Sequence, residues 1–246
     1  VPKDAPVVLE VKNLRSPAVK GVSFTLRKGE ILGLAGLMGA GRSEIASCIV
    51  GMKYRQTSNM RMHGEKYVPV SPANALKHKI TYVPAERKTD GLFLALSVRE
   101  NITISNLDAF TKFGKMDLKQ EKKIADEWIR ALHVKTPKAE TVIESLSGGN
   151  QQKVAVAKSL NTDPELIILN EPTRGIDVSA KAEIYALINE LCAQGKAVLM
   201  ISSELPEIMS MSDRIYVVCE GRITGEVQKA DFTQERLVKY AIGETD

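Results

Sequence analysis

The chain is poor in several things. Its three cysteines, Cys48, Cys192 and Cys219, are odd in number, scattered and set among apolar neighbours. That excludes a disulfide framework or a thiolate zinc site, and reads as reduced core thiols of a cytosolic protein. His63, His78 and His133 share no ligand spacing. No apolar run approaches the ~20 residues that a spanning helix needs, and no leader peptide is visible. Charge of one sign is also lacking. Thirty-four basic against 30 acidic residues leave a net +4, too mild to argue for a nucleic-acid partner. Internal repeats and low-complexity stretches are absent. Val1 is not a natural start, so a fragment of something longer is expected. What remains is 246 residues of ordinary globular composition, enough for one large domain or two small ones.

Taken in order, residues 1–6 carry two prolines and read as a linker. Residues 8–14 alternate, as do Val22, Phe24 and Leu26, which predicts half-buried antiparallel strands. Residues 31–35 are a short apolar strand of the kind buried on both faces. Residues 51–70 are irregular and polar and are expected to continue the antiparallel strands. Residues 80–83 form a further strand running into a charged loop at 84–92. From 97 to about 134 the pattern is helical, with Ile124, Trp128 and Leu132 at i, i+4 and i+8. Residues 166–169 and 197–201 are buried strands, and Ile184, Leu187, Ile188 and Leu191 mark an amphipathic helix between them. A strand pair at 215–227 and a helix at 233–242 close the chain. Strands alternating with helices argue for an α/β fold with a largely parallel sheet.

Two stretches carry chemistry. The first is Gly36, Leu37, Met38, Gly39, Ala40, Gly41, Arg42 and Ser43, lying between a strand and a helix. It fits the phosphate-cradling loop G-x-x-x-x-G-K-[ST] at every fixed position except Arg42, which stands where lysine is expected. The glycines let successive N–H groups curl around phosphate oxygens, and the serine hydroxyl can reach Mg²⁺. A planar guanidinium attracts phosphate too, but does not fit the small space of an ammonium. The second is LSGGNQQK at 146–153. Ser147 is a suitable helix N-cap, and Gly148 and Gly149 leave the backbone open to a close ligand at a helix start. Further on, Asn170, Glu171, Pro172 and Thr173 follow a buried strand, the position where α/β sheets place ligands.

In this order the motifs resemble the nucleotide-binding domain of ABC transporters over nearly the whole chain. They resemble in particular the second ATPase domain of the bacterial tandem proteins that drive uptake of ribose, xylose, galactose and related compounds. The carrying residues are GLMGAGRS at 36–43, ERKTDGL at 86–92, LSGGNQQK, NEPTRGIDV at 170–178 and ISSELPEI at 201–208. The resemblance implies a P-loop NTPase fold with a RecA-like, mostly parallel sheet and an antiparallel β subdomain. It also implies an inserted helical signature subdomain, with residues 1–90 and 155–246 as the ATP-binding core and 91–154 as the helical part. ATP and Mg²⁺ are the implied ligands, with Ser43 and Asn170 at the metal. Glu171 matches the carboxylate that polarises the attacking water. Ser147, Gly148, Gly149 and Asn150 match the signature that touches an ATP held by a partner domain, and Asp177 matches the loop that crosses to it. The implied partners are the N-terminal ABC domain of the same polypeptide (or a second copy), membrane permease subunits, and indirectly an external substrate-binding protein. No nucleic acid is expected. The implied place is the cytoplasmic face of the membrane.

Departures from the family pattern cluster on the chain's own nucleotide side. They are Arg42 for lysine, Ala85 where glutamine or glutamate is usual, Asn170 for aspartate, Ser203 for the switch histidine, and no aromatic near residues 14–18 to stack on adenine. A neutral amide at 170 stabilises less charge in phosphoryl transfer. The expectation is asymmetry: this domain binds nucleotide but hydrolyses it poorly, and its signature completes a partner's site. Low ATPase activity of the isolated domain follows. A non-hydrolysing regulatory domain and an ABC ATPase outside transport are the alternatives. The latter would bring a long basic linker or a coiled-coil insertion, and the chain has neither.

Overall fold

The structure, a computed structural model, describes residues 4–245. Part of the expected linker, residues 1–3, lies outside them. In chain order the elements are β1 (Val7–Ser16), β2 (Val19–Arg27), β3 (Ile31–Gly36), α1 (Arg42–Ile49), β4 (Thr57–Met62), β5 (Glu65–Tyr67), α2 (Pro72–Lys77) and β6 (Ile80–Val83). Next come α3 (Val98–Thr103), β7 (Thr111–Lys112), β8 (Lys115–Met116), α4 (Leu118–Ala131) and α5 (Gly148–Leu160). Then follow β9 (Leu166–Asn170), α6 (Val178–Ala193), β10 (Ala197–Ile201), α7 (Leu205–Met211), β11 (Arg214–Cys219), β12 (Arg222–Gln228) and α8 (Gln234–Ala241).

The chain divides into two compact units. One runs to Tyr82 and takes back Glu165–Glu171 and the chain from Ile188 onward; the other is Val83–Pro164 with Pro172–Leu187. The first unit holds a four-stranded sheet ordered β2-β1-β4-β5. There β1 pairs antiparallel with both β2 and β4, and β4 antiparallel with β5. A six-stranded sheet is ordered β12-β11-β3-β10-β9-β6. There β3, β10 and β9 run parallel, β11 is parallel to β3, and β12 turns back antiparallel at the edge. Every residue of β9 and β10 is buried, which explains the unbroken apolar runs at 166–169 and 197–201.

Among the described residues, two apolar clusters lie in this unit. Leu9, Leu14, Phe24, Leu26 and Met60 of the antiparallel sheet pack with Leu32, Leu34, Ile45, Ile49, Ile168 and Leu199. Ala35, Ile215, Val217 and Val227 pack with Ile208, Leu237 and Tyr240 from α7 and α8. A buried arginine ties the sheets together. Arg214 donates from Nε to Glu30 Oε1 at 2.9 Å, from Nη1 to Glu226 Oε1 at 3.0 Å, and from Nη2 to the Thr25 carbonyl at 2.7 Å.

The second unit packs Val98, Ile102, Leu132, Ile143, Val154 and Ala157 into its own core. Its helical stretch is not continuous, as the 3.6-residue pattern predicts. A 3₁₀ segment and a small hairpin, β7-β8, interrupt it. The hairpin turns on Phe113 (φ 49°) and Gly114 (φ 73°), a pair of left-handed residues that match the strand twist. Phenylalanine at positive φ carries no recognisable turn signature. The expected loop at 84–92 contains one π-helical turn, Arg87–Gly91. In β1 the simple alternation also fails, because Asn13 (φ 51°) shifts the register between Val11 and Leu14. All three cysteines are free, and only Cys48 is buried.

Removing Arg214 strands Glu30, which is 3% exposed. Arg214→Met should therefore cost about 3–5 kcal/mol, the penalty of an uncompensated buried charge. A urea titration should show a lower midpoint at an unchanged slope.

Candidate functional site

Three parallel strands of the first unit end side by side, β9 on a polar residue. β3 ends at Gly36, β9 at Asn170, and β10 pairs Ile201 with both Leu34 and Asn170. Gly36 has φ 147°, and a Cβ there would lie 2.3 Å from the Val218 carbonyl oxygen, so only glycine lets β3 leave the sheet here. The loop then turns tightly, with the Ala40 N–H donating to the Leu37 carbonyl at 3.1 Å. Leu37 is exposed and Met38 is 94% exposed. Gly39 (φ 80°) faces open space, and Gly41 (φ 103°) starts α1. An open, glycine-lined turn feeding a helix start fits a nucleotide's phosphates.

Arg42, the first residue of α1, is 7% exposed. Its Nη1 donates to the Ser202 carbonyl at the end of β10, and its Nη2 lies 4.0 Å from Glu171 Oε1. Burial pulls the guanidinium below its ordinary value, against the opposing pull of Glu171. Glu171 itself sits at φ 52°, with its N–H on the Ile201 carbonyl at 2.8 Å. Its other carboxylate oxygen accepts from the Ser203 N–H at 3.1 Å and the Ser203 hydroxyl at 3.0 Å. Asn170 is buried. Its amide nitrogen donates to the Tyr82 hydroxyl at 2.9 Å and to Ser43 Oγ at 3.2 Å, and Ser43 Oγ stands 3.4 Å from Asn170 Oδ1. Ser43 and Asn170 thus offer a cation two neutral oxygens. No cluster of three or more His, Cys, Asp or Glu side chains suited to a metal occurs among the described residues.

The second unit carries the other group. Ser147 is the N-cap of α5, but its hydroxyl makes no capping bond. Instead it accepts from Asn150 Nδ2 at 2.9 Å, while Asn150 Oδ1 accepts from the Lys135 N–H at 2.8 Å. The capping expected of Ser147 is thus displaced by a side-chain pair one turn along. A Cβ at Gly148 would meet Arg87 Nη2 at 2.6 Å, and one at Gly149 would meet Ala180 Cβ at 2.7 Å and Asp177 Oδ2 at 3.5 Å. Asp177 is exposed and accepts from the Ser179 hydroxyl at 2.6 Å and the Ala180 N–H at 2.9 Å; the hydroxyl is the larger cause of its lowered pKa. Ala85 is half-buried and contributes no polar side chain.

The structure therefore gathers Arg42, Ser43, Asn170, Glu171 and Ser203 in one unit, and Ser147, Gly148, Gly149, Asn150 and Asp177 in the other. Sequence reasoning missed two participants, Tyr82 and Arg87. Arg87 stands in the charged run ERKTDGL, which signals polarity but not a partner. Tyr82 reads as one more strand residue.

Fold and loop define a P-loop nucleotide-binding protein. The ATP-binding cassette of an ABC transporter in its ADP conformation superposes with a TM-score of 0.80 over 97% of this chain and 99% of that one, at 21% identity. A dimeric cassette in a post-hydrolysis state, bound to ADP and Pi, gives 0.76 over 91% of this chain and 100% of that one, again at 21% identity. The ABC transporter family model matches residues 19–174. The chain belongs to that family. It is 49% identical over 243 residues to the ribose import ATP-binding protein RbsA of Clostridium perfringens strain 13, and 50% identical over 244 residues to that of strain SM101. Each match covers 98% of this chain and 48% of the relative, so the chain spans about half the length of these curated relatives.

Gly36→Ala tests the loop's dependence on its glycine. The side chain forces β3 off Val218, so thermal melting should fall by an amount equivalent to about 1–3 kcal/mol or more. Binding of a fluorescent ATP analogue should weaken in the same variant.

Proposed function

We propose that this chain is the second ATPase domain of a tandem sugar-import protein of the ribose type. Its own phosphate loop holds ATP with little turnover, and its signature completes the working site of a partner domain. The family match, the ribose-import relatives and their double length support the first part. The single observation that carries the second is where the Arg42 charge goes.

In this reading the backbone of Gly36, Leu37, Met38, Gly39, Ala40, Gly41 and Arg42 holds the phosphates. Ser43 and Asn170 are the residues that would hold Mg²⁺, which would supply charge neutralisation on phosphate oxygens. Arg42 is committed to Ser202 and Glu171, so its charge is not delivered to the phosphates as a loop lysine's is. Glu171 would orient or deprotonate water, but Ser203 and Arg42 already engage its carboxylate. With both carboxylate oxygens engaged in this way, neither takes up a water's proton without giving up a partner. Neutral Asn170 adds no negative charge to grip a metal. Each departure lowers turnover at this domain's own site.

The signature group has no comparable obstruction. Gly148 and Gly149 bring bare backbone to the start of a 13-residue helix, where N–H groups and the dipole favour an anion. The anion is the terminal phosphate of an ATP held chiefly by another domain, with Asp177 beside it. The other domain is the N-terminal half of the same polypeptide. Closure of the pair drives a permease, with the domain peripheral at the cytoplasmic face. No described helix is long and apolar enough to cross a membrane.

In the complete transporter, Gly148→Asp should lower ATP turnover about a hundredfold or more, and Glu171→Gln by less than about tenfold. Steady-state ATPase assays in vesicles measure both. Equal damage from the two changes would end the asymmetric reading.

A further inference from the structure

Arg87, in the second unit, lies against Gly148 and the 174–175 backbone without itself belonging to the signature. Its guanidinium donates from Nη1 to the Arg174 carbonyl at 2.8 Å and from Nη2 to the Gly175 carbonyl at 3.2 Å. The same Nη2 lies where a Cβ on Gly148 would sit, 2.6 Å away, and the Gly175 oxygen is 3.1 Å from that point. So the fork lies between two successive carbonyls of loop 174–177 and the first residue of α5. The preceding residue completes the grip, because Glu86 Oε1 accepts from Arg174 Nη1 at 2.5 Å. Adjacent residues thus hold Arg174 by its side chain and by its backbone.

The parts are mutually dependent. Gly175 has φ 67°, a left-handed backbone that turns its carbonyl to the fork. Gly148 must lack a Cβ for the fork to lie flat there. The π-helical turn that begins at Arg87 starts its side chain beside this loop. Arg87 Nε is buried without a hydrogen-bond partner among the described residues. Leaving a buried donor unpaired is costly, which indicates that the geometry of the two terminal nitrogens dominates. Two parallel N–H groups at fixed spacing are something arginine supplies and lysine does not.

We infer that Arg87 is a positioning residue for ATP turnover: it fixes loop 174–177 against Gly148, so that Asp177 and the signature's N–H groups meet a partner-held ATP in one register. The inference rests on the signature reading of the previous subsection. Arg87 contacts neither phosphate nor water in this scheme; it acts through the loop.

The test uses the complete transporter with its permease, carrying Arg87→Lys, Arg87→Met or Gly148→Asp. For both Arg87 variants kcat should fall about ten- to a hundredfold, while KM for ATP moves less than about threefold, because misplacement harms the transition state more than ground-state binding. Lysine should not rescue, and melting temperatures should stay at the wild-type value. Should Arg87→Met melt early, Arg87→Lys, which keeps the stem and the charge, decides the matter. Unchanged kcat in Arg87→Lys overturns the inference, since charge without the fork then suffices. So does a loss of kcat in Arg87→Lys that only tracks a fall in melting temperature. If Gly148→Asp also turns over normally, the signature reading itself fails. If Gly148→Asp is inactive and Arg87→Lys is normal, only the role of Arg87 fails.

Discussion

A buried guanidinium reaching the end of β10 organises the polar groups beside the glycine loop. Taking such a charge out of water costs several kcal/mol unless it is partnered, and Arg42 finds the Ser202 carbonyl and the Glu171 carboxylate. That choice constrains its neighbours. Glu171 is held at an unfavourable φ, and Ser203 supplies two further donors to it. Asn170 donates to both Tyr82 and Ser43, which an ionised aspartate cannot do. Arg42, Asn170 and Ser203 are therefore not three scattered departures. They belong to two neighbouring polar groups, Asn170 with Ser43 and Tyr82, and Arg42 and Ser203 around Glu171, which find partners without a lysine or a second carboxylate.

The signature unit solves a different problem. Its helix α5 starts with bare backbone yet is buried along most of its length, including Gln151, Gln152 and Lys153. Two of those polar side chains, Gln151 and Lys153, tie the helix to neighbouring backbone. Gln151 Nε2 donates to the Ile143 carbonyl at 3.2 Å, and Lys153 Nζ donates to the His133 carbonyl at 2.9 Å and pairs with Glu183. Lys158 donates to the Gly91 carbonyl, and burial lowers its pKa. With the helix fixed from behind, its first turn can stay free of side-chain caps. The hydroxyl of Ser147 is turned to Asn150, so the leading N–H groups are not occupied by their own cap.

Much of this was legible in the chain. Strands 80–83 and 197–201 match β6 and β10 residue for residue, because unbroken apolar runs between turn signals have few other solutions. The glycine loop was legible because its spacing is a backbone requirement, met at Gly36, Gly39 and Gly41 whatever the surroundings. The β7-β8 hairpin was not, since two-residue strands leave no periodicity and Phe113 is an unusual turn residue. Helix α2 was missed for a similar reason, being six residues long with only Ser71 and Pro72 to announce it.

The sequence by itself determined the family, the order of elements and the residue types available at each motif, because those rest on local spacing and periodicity. It also showed that lysine, aspartate and histidine are missing where the family uses them. Only the tertiary structure decided where the substitutes point. That Arg42 reaches Ser202 and Glu171, and that Arg87 reaches the 174–175 carbonyls, depends on long side chains crossing between segments 87 to 160 residues apart. Side-chain direction over such separations is fixed by packing and by the demand that buried charges find partners, and neither is written in local sequence.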